Sequence, residues 1–180
     1  MYGTAWQKSG TVSGTDSALC TNPPPGTGGN CISTVTGTFT TTVTPGTTVT
    51  LGGVTANQIT VNRVVVTSIS GGSTVSYQLG VKPDYSAIVD ASGCAISIPE
   101  IVSIGYTAIL SCPNGSTSNA ITLSVTADTS SGDAAVTVTS AFGKEVYRLS
   151  TNGSVTPVSI GPFSGTRNNG YASFAYTLFY

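Results

Sequence analysis

An all-β fold, specifically an antiparallel β-sandwich of Ig-like or jelly-roll-like type with about ten to twelve strands and an N-terminal extension, is what this 180-residue sequence predicts. Three observations point to it. Apolar residues recur with period two along most of the chain, and helical periodicity is scarce. Turn residues interrupt the alternation every ~8–15 residues, a spacing typical of sandwiches and barrels. The chain holds 30 Thr, 24 Ser, 22 Gly and 19 Val, over half its length in types that suit strands and the turns between them.

The elements follow in order. Tyr2–Val12 places Tyr2, Thr4 and Trp6 on one face, with the only Trp of the chain among them. Pro23-Pro24-Pro25-Gly26-Thr27-Gly28-Gly29 lacks strand character and reads as a hinge. Residues 1–19 are therefore expected to form an arm and residues 20–180 a single sandwich domain. Thr34–Val43 sets Val35, Phe39 and Val43 against a face of Thr, and Thr47–Thr55 reads as a separate strand after a Pro45-Gly46 turn. Gln58–Ile69 and Thr74–Val81 follow, separated by Gly71-Gly72; Ile96–Ile98 is short and Ile101–Cys112 longer. Ile121–Asp128 alternates cleanly, and Ala135–Thr139 repeats the pattern after the loop Thr129–Asp133, which predicts a hairpin. Lys144–Leu149, Val155–Ile160 and Tyr171–Tyr180 complete the set. The last aligns Ala172, Phe174, Tyr176, Leu178 and Tyr180 in an apolar stripe that has to be buried.

Charged residues make up 7% of the chain, with six Lys+Arg, seven Asp+Glu, no His and a formal net charge of -1. Six scattered cations cannot neutralise a nucleic-acid backbone, so no nucleic-acid partner is expected. Without His there is no Ser-His-Asp or Cys-His chemistry. The sparse carboxylates Asp84, Asp90 and Glu100 share no motif, and Asp128–Asp133 lacks EF-hand spacing, so neither an enzyme nor a cofactor or metal is expected. Lys8, Lys82 and Lys144 are the only lysines open to an isopeptide link, and Lys144 reads more simply as the start of a strand. Arg148 and Arg167 are too isolated for an anion site. Mean hydropathy is +0.23, yet no apolar run approaches the ~20 residues of a membrane helix, and an integral membrane protein is not expected.

Cysteines stand at Cys20, Cys31, Cys94 and Cys112. Three pairings are open, and the sequence neighbours Cys20–Cys31 and Cys94–Cys112 are the favoured ones. Zinc spacing is absent. Disulfides point to an extracellular setting. Met1–Trp6 shows neither the charged nor the apolar region of a signal peptide, which predicts a processed start or a viral product. Two glycosylation sequons, at Asn114 and Asn152, coincide with Asn-Gly turns.

Sandwiches protect their edge strands with charges and Pro, and this chain has too few charges to do so. Either the sheet closes into a barrel or edge pairing is the function. The aromatic N-terminal extension, the hydroxyl-rich body, the alternating C-terminal strand and the cysteines together resemble the donor-strand subunits of pili. The chain is similar to chaperone–usher pilins of bacteria and, more closely, to the bundling pili of hyperthermophilic archaea. The bacterial terminal strand carries a penultimate Tyr, whereas Phe179 is penultimate here and Tyr180 last. The resemblance implies an extracellular homopolymer in which Tyr2, Thr4, Trp6 and Val12 enter the sheet of the next copy. A viral or phage coat, tail or decoration protein is an alternative. A carbohydrate-binding or adhesin sandwich using Tyr77, Tyr85, Tyr106 and Tyr147 is another. An outer-membrane barrel is a third, disfavoured by the lack of aromatic girdles.

Overall fold

The computed structural model describes residues 4–19, 25–26, 30–128, 133–141, 143–167 and 172–180. Its twelve strands are β1 (Trp6–Leu19), β2 (Asn30–Leu51), β3 (Val54–Thr67), β4 (Ser70–Val81), β5 (Ala87–Val89), β6 (Ala95–Ser97), β7 (Thr107–Ser111), β8 (Thr117–Ala127), β9 (Ala134–Ser140), β10 (Gly143–Leu149), β11 (Val155–Arg167) and β12 (Ala172–Phe179). All pairings are antiparallel between sequence neighbours, and β1 also pairs with β12, so the sheet is a closed barrel. The expected sandwich is therefore wrong, although the all-β class is right. Alternation shows that each strand buries one face; it does not show whether that face meets a second sheet or the far wall of the same one. Closure removes the edges that this chain has no charges to protect.

The seam is long. β1 runs against β12 from Thr11↔Phe179 to Ala18↔Ala172, and against β2 from Trp6↔Val43 to Leu19↔Asn30. Two glycines allow it. A Cβ on Gly14 would stand 2.1 Å from the Ala175 carbonyl oxygen, and one on Gly10 would stand 2.1 Å from that of Phe179 and 2.6 Å from the Phe39 ring. Along β12, Ala172 and Leu178 are buried, and Phe174, Tyr176 and Tyr180 half-buried.

Local chemistry explains most turns. Gly52 and Gly53, at φ 51° and 87°, form the β2–β3 hairpin. Pro45-Gly46 is not a turn: the β2–β3 ladder passes it with a register shift between Pro45 and Thr48, so the two expected strands are one. Likewise Ser68 and Ile69 make the β3–β4 turn, not Gly71-Gly72. The carboxylate of Asp84 accepts from the N–H and hydroxyl of Ser86, and that of Asp90 from the N–H groups of Ser92 and Cys94. The hairpin expected across residues 121–139 forms as β8–β9. Of Ile101–Cys112, only Thr107–Ser111 is strand.

The wall is uneven. β4 pairs with β5 only through Gly80↔Val89 and Val81↔Ile88, and β6 meets β7 only at Ala95↔Ser111. The Cys94–Cys112 disulfide crosses this thin arc. Cys31 is disulfide-bonded, and Cys20 lies outside the described residues. No helix among the described residues is long and apolar enough to cross a membrane.

The core falls into three clusters. Val12, Val35, Phe39, Val65, Ile160 and Leu178 pack where the seam strands meet β2, β3 and β11. Val43, Ile59, Val61 and Val81 continue along β2–β4. Cys94, Ile96, Leu110, Leu123 and Val125 lie under the thin arc. Outside, Thr34, Thr36, Thr38 and Thr44 of β2 are exposed.

The Gly14→Val variant is expected to destabilise the protein by about 1–3 kcal/mol or more, since the backbone it strikes has no room to yield. Denaturant melts should show the loss, and hydrogen exchange should place the first opening at β1 and β12.

Candidate functional site: the barrel lumen

About eight strands close on an interior that side chains just fill. Twelve enclose more, and a cavity of about 1020 Å³ remains between the β2–β4 wall and the β8–β10 wall. Apolar side chains dominate it, including Val43, Ile59, Val61, Leu123, Val136 and Val138. Tyr85, Ala91, Ala120, Ala141 and Val155, all exposed, also line it.

One polar cluster interrupts this lining. Ile59, Val61, Arg63 and Val65 alternate inward along β3, so Arg63 is carried into the lumen and is only 2% exposed. Glu145 and Tyr147 project from β10 on the opposite wall. Arg63 Nη2 donates to Glu145 Oε1 at 2.8 Å, and the Tyr77 hydroxyl donates to the same oxygen at 2.9 Å. The Tyr147 hydroxyl donates to Oε2 at 2.5 Å. Arg63 Nε donates to Thr41 Oγ1 at 3.3 Å, and Tyr180 donates to that hydroxyl at 2.8 Å. The last residue of the chain is thus tied into the lumen; its ring stands edge-on to Phe39 at 4.8 Å and lies 5.5 Å below Lys8 Nζ.

Burial pulls the Arg63 guanidinium down, but the Glu145 carboxylate outweighs it and holds the group above its ordinary value. Burial first, and the adjacent carboxylate second, push the Tyr77 and Tyr147 hydroxyls well above theirs. Arg63 Nη1 is buried and has no hydrogen-bond partner among the described residues. A pair taken out of water in this way holds together only when its remaining donors and acceptors are met.

The expected site residues are distributed as follows. Trp6 lines the lumen, Val12 is in the core, Thr4 is exposed, and Tyr2 lies outside the described residues. Phe174 stacks with Tyr176, ring centroids 5.8 Å apart. Asn114 and Asn152 are exposed, and each side-chain oxygen accepts the N–H two residues on, from Ser116 and Ser154, beside Gly115 and Gly153 at φ near 80°. The tyrosines considered as a carbohydrate platform do not form one: Tyr77 and Tyr147 meet inside on Glu145, Tyr106 bonds the Ser97 carbonyl, and Tyr85 is exposed. Arg148 pairs with Asp128 at 2.9 Å. The sequence reading overlooked Arg63 and Glu145; the visible signal was a cation at an inward position of an apolar stripe. Compared with known proteins, the chain matches no family model, no curated protein and no solved structure.

The raised tyrosines give stability a defined pH dependence. In the unfolded chain they titrate near 10.0, and in the folded barrel later. Their contribution is complete below pH ~10 and is lost as pH climbs above it, by roughly 1 kcal/mol per pH unit for each hydroxyl. Chemical denaturation across pH 7–12 should show this fall. Tyr147→Phe should flatten the fall while costing about 1–3 kcal/mol at neutral pH, because Glu145 loses a donor.

Proposed function

We propose that the chain is a structural subunit of an extracellular filament, joined to its neighbours by exchange of β1. One observation supports this above the others: β1 is the strand that closes the ring, seated between β2 and β12 at the chain's N-terminal end. An identical β1 from a second copy makes the same ladder in trans. The inward face of β1 carries Gly10, Gly14 and Ala18 as well as Trp6, Lys8, Val12 and the buried Asp16, so withdrawal uncovers few large apolar side chains. Beyond Leu19 the sequence is rich in Pro and Gly, the composition of a hinge.

Donation from each copy to the next is heterologous and yields an open fibre. The expectation of an arm entering a neighbour's sheet thus becomes a proposal about a strand that also fits its own. Hydroxyl-covered outer strands support the reading, since Thr and Ser cost less to desolvate between packed copies than charges do. The disulfides support export. The role proposed is mechanical, with other copies of the chain as partners.

Removing residues 1–19 should leave β2 and β12 as open edges and abolish fibres seen by negative-stain electron microscopy. A synthetic peptide of residues 1–19 added in trans should close the ring and yield soluble complexes of one chain with one peptide by light scattering. Fibres that persist without residues 1–19, or a full-length chain that stays monomeric at millimolar concentration, would overturn the proposal.

A further inference from the structure

The lumen offers something that strand exchange leaves unused, because Trp6 is the one β1 residue in its lining. We infer that the lumen is a binding site for a small neutral apolar molecule carrying one acceptor oxygen, such as a ketone or an alcohol. This inference does not rest on the filament reading.

Three features set the chemistry. The volume, about 1020 Å³, is that of a pocket for a drug-sized or lipid-sized molecule. Its walls, from Val43 and Val61 on one side to Leu123 and Val138 on the other, call for an apolar body. The charges then decide the head group. Arg63 and Glu145 neutralise one another across the lumen at 2.8 Å. Asp90, which also lines the cavity, is held by the N–H groups of Ser92 and Cys94. An anionic ligand would add a charge to that of Asp90 in this apolar space, and a neutral one does not.

The polarity of the head follows from what the cluster lacks. Glu145 already accepts from Arg63, Tyr77 and Tyr147, so it has little left for a donor. Arg63 has committed Nε to Thr41 and Nη2 to Glu145, while Nη1 is buried without an acceptor. A buried donor left unmade is costly, and an incoming carbonyl or hydroxyl oxygen supplies what is missing. Exposed residues in the lining, Tyr85, Ala91, Ala120 and Val155 among them, give access from solvent.

The test uses the full chain with three probes: 2-nonanone and nonane, followed by headspace depletion, and nonanoate, followed by equilibrium dialysis. The wild type should take up 2-nonanone saturably, about one per chain, and hold it at least about tenfold more tightly than nonanoate. Replacing the pair together (Arg63→Met with Glu145→Leu) should weaken 2-nonanone about tenfold while nonane changes by less than about twofold, the loss expected for one hydrogen bond to a charged group. Val138→Trp, which narrows the lumen, should weaken uptake of both. The inference is overturned if the wild type shows no saturable uptake, if nonanoate binds as tightly as the ketone, or if the paired replacement leaves the ketone-to-nonane ratio unchanged. Should the paired replacement not fold, the ketone–nonanoate comparison and Val138→Trp still decide.

Discussion

Every backbone donor and acceptor along a strand edge has to find a partner, and in a chain with 7% charged residues that requirement is met by joining the first strand to the last. The rest of the structure depends on this seam. It explains why Gly10 and Gly14 lie where a Cβ would strike the β12 backbone, and why the terminal stripe from Ala172 to Tyr180 is apolar up to the final residue. It also explains the Thr-covered exterior. With no edge to blunt, outward positions need only strand propensity and solvation, and Thr supplies both.

Closing so many strands has a consequence for the interior. The three core clusters do not fill it, and the gap between them is lined by valines and isoleucines that face space. Across this gap the Arg63–Glu145 pair links β3 to β10, walls that no ladder joins. Such a pair adds little net stability compared with apolar residues of the same volume, because the desolvation of both ions opposes their attraction. What it does supply is position. Thr41, Tyr77 and Tyr147 each bond to one member of the pair, and Tyr180 bonds to Thr41, so five strands or strand ends are fixed to one cluster. The pair specifies the spacing of the walls more than it stabilises them.

How much of this was readable beforehand depends on the range of the signal. The β8–β9 hairpin and the inward stripe of β12 were legible because alternation is local and each strand has one wet face. Pro45-Gly46 misled because a bulge and a turn use the same residues, and only the partner strand distinguishes them. The barrel itself was not legible, since a strand has the same pattern whether its buried face meets a second sheet or the opposite wall. The need to protect the edges was visible in the charge count, and it left closure as one of two outcomes. Arg63 stood in plain view between Val61 and Val65, but its partner Glu145 is 82 residues away, a distance no local pattern spans.

The proposed exchange of β1 and the closure of the ring rest on one interaction, and contacts alone do not choose between them. The ladder that β1 makes with β2 and β12 is the same in cis and in trans, so its energy cancels. What remains is concentration against strain. A strand tethered by a short segment presents itself to its own acceptor at roughly millimolar effective concentration, which favours the closed subunit in dilute solution. Packing of copies at an assembly site shifts the balance toward the neighbour. In the proposed exchange, the length and composition of the ten residues between β1 and β2 therefore set the balance between monomer and fibre.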